Sequence, residues 1–248
     1  MTLAIGIDIG GTGIKGAIVD LSTGELVSER LKVATPAGGS PDDIVAEVVS
    51  MIEAFGPTAD GLPVGVAFPA IVLHGRTMSA ANVSKKWIDL EAEDLFEKAL
   101  GRDITFVNDA DAAGYAEALF GAAKGEQGLV IVTTLGTGIG SAFIYNGVLI
   151  PNTELGHLQV DKRDAESRAS NAARERGRLS WTRWAKRLQR FYSVVERLFS
   201  PDLIIVGGGV SKSHELFLPL LRLRTPIVPA ELRNNAGIMG AAALAVHA

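Results

Sequence analysis

The chain has 248 residues, 47% of them apolar and 21% charged, with a formal net charge of −4; this is a globular composition, long enough for one large domain or two modest ones. The small negative balance argues against wholesale nucleic-acid binding but leaves room for a local basic patch. Cysteine is absent, so disulfides and thiolate metal sites are excluded, and no stretch approaches the roughly 20 apolar residues that span a bilayer.

The opening MTLAIGIDIGG lacks a basic leader and is interrupted by Asp8, so it reads as a strand and not as a targeting segment; a cytoplasmic protein is the expectation. A glycine turn and a second strand follow, ending at the turn signal Ser22–Thr23–Gly24, and LVSERLKVAT adds a third antiparallel strand. Pro41 to Phe55 reads as a helix, with apolar residues at 44, 45, 48, 49 and 52 and acids Asp42 and Asp43 near its start. Next come a strand over 63–70, a helix over 91–100 ending at Gly101, and a strand ITFVND (104–109) that runs straight into an Ala-rich helix over 110–123. After another glycine turn with flanking strands, residues 179–199 form an amphipathic helix carrying Trp181, Trp184, Leu188, Phe191, Val195 and Leu198. LIIVGGG (203–209) is a buried strand, and GIMGAAALAV closes the chain as a small-residue helix.

Sliding the sequence against itself by 125 positions lays LAIGIDIGGTGIKGAIV (3–19) without gaps over GLVIVTTLGTGIGSAFI (128–144). Gly11, Thr12, Gly13, Ile14 and Ala17 match Gly136, Thr137, Gly138, Ile139 and Ala142, and the flanking apolar residues correspond as well. Both copies read as strand, glycine turn, strand, and the second continues through an Asn146–Gly147 turn. The Walker P-loop and the Rossmann fingerprint both need a helix directly after their glycines, so neither describes these loops.

Two halves that each open on a glycine hairpin suggest an actin-like sugar kinase, and the individual motifs resemble the ROK family (repressors, open reading frames, kinases). DIGGTGIK is similar to its first phosphate loop, VNDADAAGYAE to its catalytic segment and LGTGIG to its second phosphate loop. NVSKKW (82–87) is similar to its sugar loop, ELGH (154–157) to its sugar-recognition motif and IIVGGGVS to its adenosine motif. The resemblance implies an α/β fold of two actin-like (ribonuclease H-like) domains with a cleft between them. The small domain would be 1–109 plus a returning helix at 235–248, and the large one 110–234.

By the same resemblance Asp109 is the base that takes the proton of a sugar 6-hydroxyl, although a helix cap is its competing role and Asp111 a rival cap. Asn82, Asn108, Asp109, Glu154 and His157 would hydrogen-bond the sugar, with Glu166 a further hydroxyl contact. Gly10, Gly11, Thr12, Gly13 and Lys15 would hold phosphate in the first loop, and Thr134, Gly136, Thr137 and Gly138 in the second, mainly through backbone amides. Asp8 would position a hydrated Mg²⁺, and Gly207, Gly208 and Gly209 would let the backbone approach adenine.

Family members typically follow the ELGH histidine with a cysteine cluster that binds zinc. Here that segment is cysteine-free, so no zinc is expected, and residues 162–190 instead hold ten Lys or Arg against three acids. In this respect the chain resembles the polyphosphate glucokinases and polyphosphate/ATP glucomannokinases of actinobacteria. Arg183, Lys186, Arg187 and Arg190, with Lys85 and Lys86 nearer the sugar, would bind polyphosphate; alternatively they are the wet face of an amphipathic helix. The expected activity is phosphorylation of glucose, and also of mannose, from polyphosphate or ATP. A strictly ATP-dependent glucokinase and a non-catalytic sugar-sensing regulator are the alternatives. No nucleic-acid or membrane partner is expected, and a homodimer is compatible with the family.

Overall fold

The architecture is that of a computed structural model describing residues Met1–His247, with Ala248 of the expected 235–248 segment outside the described residues. Strands β1 (Leu3–Gly10) and β2 (Gly13–Asp20) pair antiparallel from Leu3↔Asp20 to Gly10↔Gly13, so the first glycine turn is a tight hairpin. The third strand expected after Gly24 divides into β3 (Glu25–Leu26) and β4 (Leu31–Val33), both antiparallel to β2. Between them Ser28 Oγ takes the Ile18 N–H at 2.9 Å, which replaces one rung of the ladder by a side chain.

Helix α1 (Pro41–Glu53) starts where Ser40 Oγ accepts the Asp43 N–H and proline occupies the first turn. Strand β5 (Val64–Phe68) lies parallel to β1. A small antiparallel sheet follows, made of β6 (Val72–Leu73), β7 (Arg76–Thr77) and β8 (Leu90–Glu91). Helix α2 (Ala92–Leu100) stops at Gly101, whose φ of 65° is the left-handed terminator read from the sequence. Strand β9 (Thr105–Asn108) pairs parallel with β5 and leads into α3 (Asp109–Phe120).

The second half repeats this plan. Strands β10 (Leu129–Leu135), β11 (Ile139–Tyr145) and β12 (Val148–Ile150) form an antiparallel meander. It is followed by a hairpin of β13 (Gln159–Val160) and β14 (Arg163–Asp164), the short helices α4 (Glu166–Ala169) and α5 (Asn171–Arg176), and the long helix α6 (Trp181–Phe199). Strands β15 (Leu203–Gly207) and β16 (Ile227–Pro229) add on parallel to β10. The two sheets run β3-β2-β1-β5-β9 and β12-β11-β10-β15-β16, the same path twice. The duplication read from the glycine motifs is therefore a duplication of the whole sheet.

Helix α6 buries Trp184, Leu188, Phe191, Tyr192 and Val195 in the core of the second half, each contributing roughly 1.5–3 kcal/mol by removal from water. Trp184 Nε1 donates to the Ala169 carbonyl at 3.0 Å, and the buried Tyr192 hydroxyl pairs with Thr133 Oγ1 at 2.8 Å. Leu198 departs from the expected stripe. It is 55% exposed.

Helix α7 (Ala236–His247) returns to the first sheet. Gly6 and Gly65 are register partners on β1 and β5, and a Cβ on either would strike the carbonyl oxygens of Ile238 or Ala241. Two adjacent glycines thus make the seat on which an Ala-rich helix lies with its backbone against the strands. The chain divides into two compact units, Met1–Ala116 with the stretch from Asn235, and Glu117–Asn234. The division falls inside α3 and not at the 109/110 boundary expected from the sequence, since the first half of α3 packs its Ala112 against Gly240 of α7.

Candidate active site

In the first unit the candidate residues gather at the C-terminal ends of the parallel strands β1, β5 and β9. Asp8 is the register partner of Lys15 across the hairpin, and Lys15 Nζ donates to Asp8 Oδ2 at 2.7 Å. The residues expected to serve Mg²⁺ and phosphate are thus joined as an ion pair, with side chains 16% and 25% exposed respectively. Gly11 and Thr12 form the turn between Gly10 and Gly13. A Cβ on Gly11 would lie 2.6 Å from that of Asn82, so the 82–87 loop abuts the first glycine turn. Asn82 has a φ of 63°. Its loop is anchored by the buried Trp87, whose Nε1 donates to the Gly39 carbonyl at 2.9 Å. Lys85 and Lys86 stand exposed beside it in a single 3₁₀ turn.

Asn108 is buried and heavily engaged. Its Nδ2 donates to the Ala70 carbonyl at 2.9 Å, and its Oδ1 accepts the N–H groups of Ala110 and Asp111 at 2.8 and 3.0 Å. Asn108 therefore satisfies the first donors of α3, the job for which Asp109 and Asp111 were the competing candidates. Asp109 follows it, half-buried, as the first residue of the helix.

In the second unit, three motifs converge on the β10–β11 hairpin. Thr134 and Gly207 are register partners on β10 and β15, and Gly208, with a φ of 81°, packs on the backbone of Leu135. This sets Gly207–Gly209 beside the Gly136–Thr137–Gly138 turn. Ala172 of α5 donates its N–H to the Gly136 carbonyl at 3.0 Å and steadies that turn. Glu166 Oε2 accepts the Ile139 N–H at 3.2 Å and occupies space that a side chain at position 138 would fill. The glycine at 138 is thus required by an acid from α4.

The ELGH turn lies against the same strand, with Gly156 packed on Ile139 and Glu166. Burial pushes the Glu154 carboxyl up from its usual range, opposed by the charge of His157 and aided by that of Glu166. His157 is raised chiefly by its hydrogen bond to Asp164, at 3.2 Å, and further by Glu166 and Glu154. A raised histidine pKa favours the folded state while the ring is charged, so this contribution is complete below the ordinary histidine value and disappears as pH rises through the raised one.

The cations of α6 are partly committed. Arg190 grips Asp161 with Nε at 3.1 Å and Nη2 at 2.8 Å, and the same contact lowers the Asp161 pKa. Arg187 Nη1 donates to the Arg168 carbonyl at 3.2 Å, whereas Arg183 and Lys186 stand exposed on the helix surface. Arg168, Lys186, Arg187 and Arg190 surround a cavity of about 320 Å³ with Asp161 as its one acid. Arg183 sits a turn earlier and does not line it. Neither Arg168 nor Asp161 had a signal of its own in the sequence, since their proximity depends on α4 and the β13–β14 turn folding against α6. Among the described residues, no three His, Cys, Asp or Glu side chains form a metal-ligating group, and no helix is long and apolar enough to cross a membrane.

Residues 4–171 match the sequence pattern of the ROK family. The chain is 47% identical to a polyphosphate glucokinase of Mycobacterium tuberculosis (strain CDC 1551 / Oshkosh), across 97% of this chain and 90% of that protein. Its fold matches the crystal structure of the inorganic polyphosphate/ATP-glucomannokinase from Arthrobacter sp. strain KM with a TM-score of 0.94 and 55% identity, covering 100% of this chain and 99% of the other. A ROK family glucokinase from Streptomyces griseus, crystallised with glucose and AMPPNP, matches with a TM-score of 0.84 and 26% identity over 99% and 100% of the two chains.

Proposed function

This chain belongs to the ROK family, and from that membership we propose that it transfers a phosphoryl group from inorganic polyphosphate or ATP to the 6-hydroxyl of glucose, with mannose as a second acceptor. The observation that carries this reading is the repeated sheet, in which each glycine turn closes a hairpin beside a parallel strand. Backbone amides in such turns face the C-terminal strand ends, where open α/β sheets bind ligands.

Asp109 takes the proton of the attacking hydroxyl. That oxygen bonds the terminal phosphorus while the bridging P–O bond breaks, and its electron pair leaves with the shortened donor. Asn82, Asn108, Glu154, His157 and Glu166 orient the sugar, and the turns at 10–13 and 136–138 hold the phosphate oxygens. Asn108 does so with little rotational freedom, because its amide is already fixed at both ends. Asp8 is a lone carboxylate paired with a lysine, a donor set that suits a hydrated Mg²⁺ retained through water and not direct coordination. When bound, that ion offsets phosphate charge.

Polyphosphate use is supported by the four cations around one cavity on α4 and α6, since closely spaced charges suit a polyanion. A strictly ATP-dependent enzyme is favoured by a different observation, the commitment of Arg190 to Asp161 and of Arg187 to a backbone carbonyl. A triple variant, Arg183→Gln with Lys186→Gln and Arg187→Gln, leaves the Arg190 tether intact and separates the two. The polyphosphate-driven rate is expected to fall about tenfold and to lose part of its salt dependence, with the ATP-driven rate changing less than about twofold. Equal loss with both donors, or with neither, would remove polyphosphate from this helix.

A further inference from the structure

We propose that Asp164 is a positioning residue for His157, holding the Nδ1 side of the imidazole so that Nε2 is the ring atom offered to a sugar hydroxyl. The inference rests on the sugar-binding role given to His157 above. Asp164 Oδ2 lies 3.2 Å from His157 Nδ1, while its Oδ1 accepts from Gln159 Nε2. Gln159 and Asp164 are register partners on β13 and β14, so the hairpin itself delivers the carboxylate to the ring.

That hairpin is held at each end. Asp161 and Lys162, with φ of 53° and 63°, form its turn, and Arg190 of α6 clamps Asp161. At the open end Ala165 donates its N–H to the Leu158 carbonyl at 3.0 Å, and Ser167 Oγ donates to the Asp164 carbonyl at 2.6 Å. The Asp164 side chain is therefore placed by backbone geometry, although it and His157 are 44% and 61% exposed.

A carboxylate at Nδ1 fixes the tautomer of the neutral ring, since that nitrogen must carry the proton. Nε2 then accepts from a hydroxyl when the ring is neutral and donates when it is charged, and only the outward nitrogen changes its role with pH. The titratable groups that face the ring are Asp164 from β14, Glu166 from α4 and Glu154 from the preceding turn; all are acids, and all favour the charged ring. Asp164 is the strongest of these and the one in hydrogen-bond contact.

The test reads the ring directly. Long-range proton–nitrogen correlation spectra of the four histidines, followed across pH, give the tautomer and midpoint of His157, with His157→Gln supplying the assignment. The parent is expected to show a neutral ring protonated at Nδ1 and a midpoint above the ordinary histidine value. Asp164→Asn, which keeps an acceptor oxygen, should retain the tautomer while the midpoint falls by roughly one pH unit. Asp164→Ala should lose both, and its calorimetric Kd for glucose without donor should rise about tenfold, with kcat at saturating glucose falling less. Asp164→Asn should recover most of that Kd.

Two results would overturn the proposal by itself. The first is a parent ring protonated at Nε2. The second is an Asp164→Ala protein with unchanged ring and unchanged Kd, which would leave the kinase function standing. If the ring behaves as expected but the parent binds no hexose, the proposal falls together with the sugar-binding role of His157, a failure distinct from the other two.

Discussion

Asp109→Asn is expected to lower kcat with either donor by about 10³-fold, within the usual range for loss of a general base, while the Kd for glucose stays within about threefold of the parent. Asparagine has the same shape and can still hydrogen-bond a hydroxyl, but it does not take a proton at neutral pH. The fold should tolerate the change. Asn108, not Asp109, accepts the Ala110 and Asp111 N–H groups at the start of α3, so the substitution leaves those caps in place. Single-turnover measurement of sugar phosphate, with glucose binding by calorimetry, checks both halves. Turnover near that of the parent would exclude Asp109 as the base, and loss of glucose binding in step with turnover would make it a sugar ligand only.

The second large effect concerns stability. Glu117→Ala is expected to destabilise the second unit by about 3 kcal/mol, because it removes the acceptor of three partly buried backbone donors at once. Glu117 is 1% exposed, near the end of α3, and its carboxylate accepts the N–H groups of Ala122 at 2.8 Å, Leu232 at 2.9 Å and Glu231 at 3.3 Å. It thereby ties the end of α3 to the segment after β16, and Gly121 is needed because a side chain there would strike the carboxylate. Glu117→Gln keeps the acceptor oxygen and should cost less than half as much. Urea unfolding of both variants gives the comparison. A loss under about 1 kcal/mol for Glu117→Ala would mean that water replaces the carboxylate at those amides.

Glu117 also marks where sequence reasoning stopped. In VNDADAAGYAE it looks like an ordinary acid at a helix end, and the two amides that bury it lie 114 and 115 positions away in the chain. The glycine hairpins were legible because a turn type, an alternating strand pattern and a repeat all agreed. Helices α1 and α6 were legible from the spacing of their apolar residues. The strands β6, β7, β8, β13 and β14 span two residues each, too short for any period, and are held by their neighbours. That gap hid where Asp161 and Asp164 are placed, so nothing in the basic segment told which cation is paired. In the structure one of those arginines is the clamp on the hairpin that carries the partner of His157.

Phosphoryl transfer to a hexose from either donor is measured most directly as glucose 6-phosphate formation by the purified chain with Mg²⁺ and polyphosphate freed of nucleotide, in parallel with ATP. Product in both reactions is the predicted result, at rates that fall together in Asp109→Asn. Absence of product with both donors, in protein that folds cooperatively and binds glucose, would contradict it.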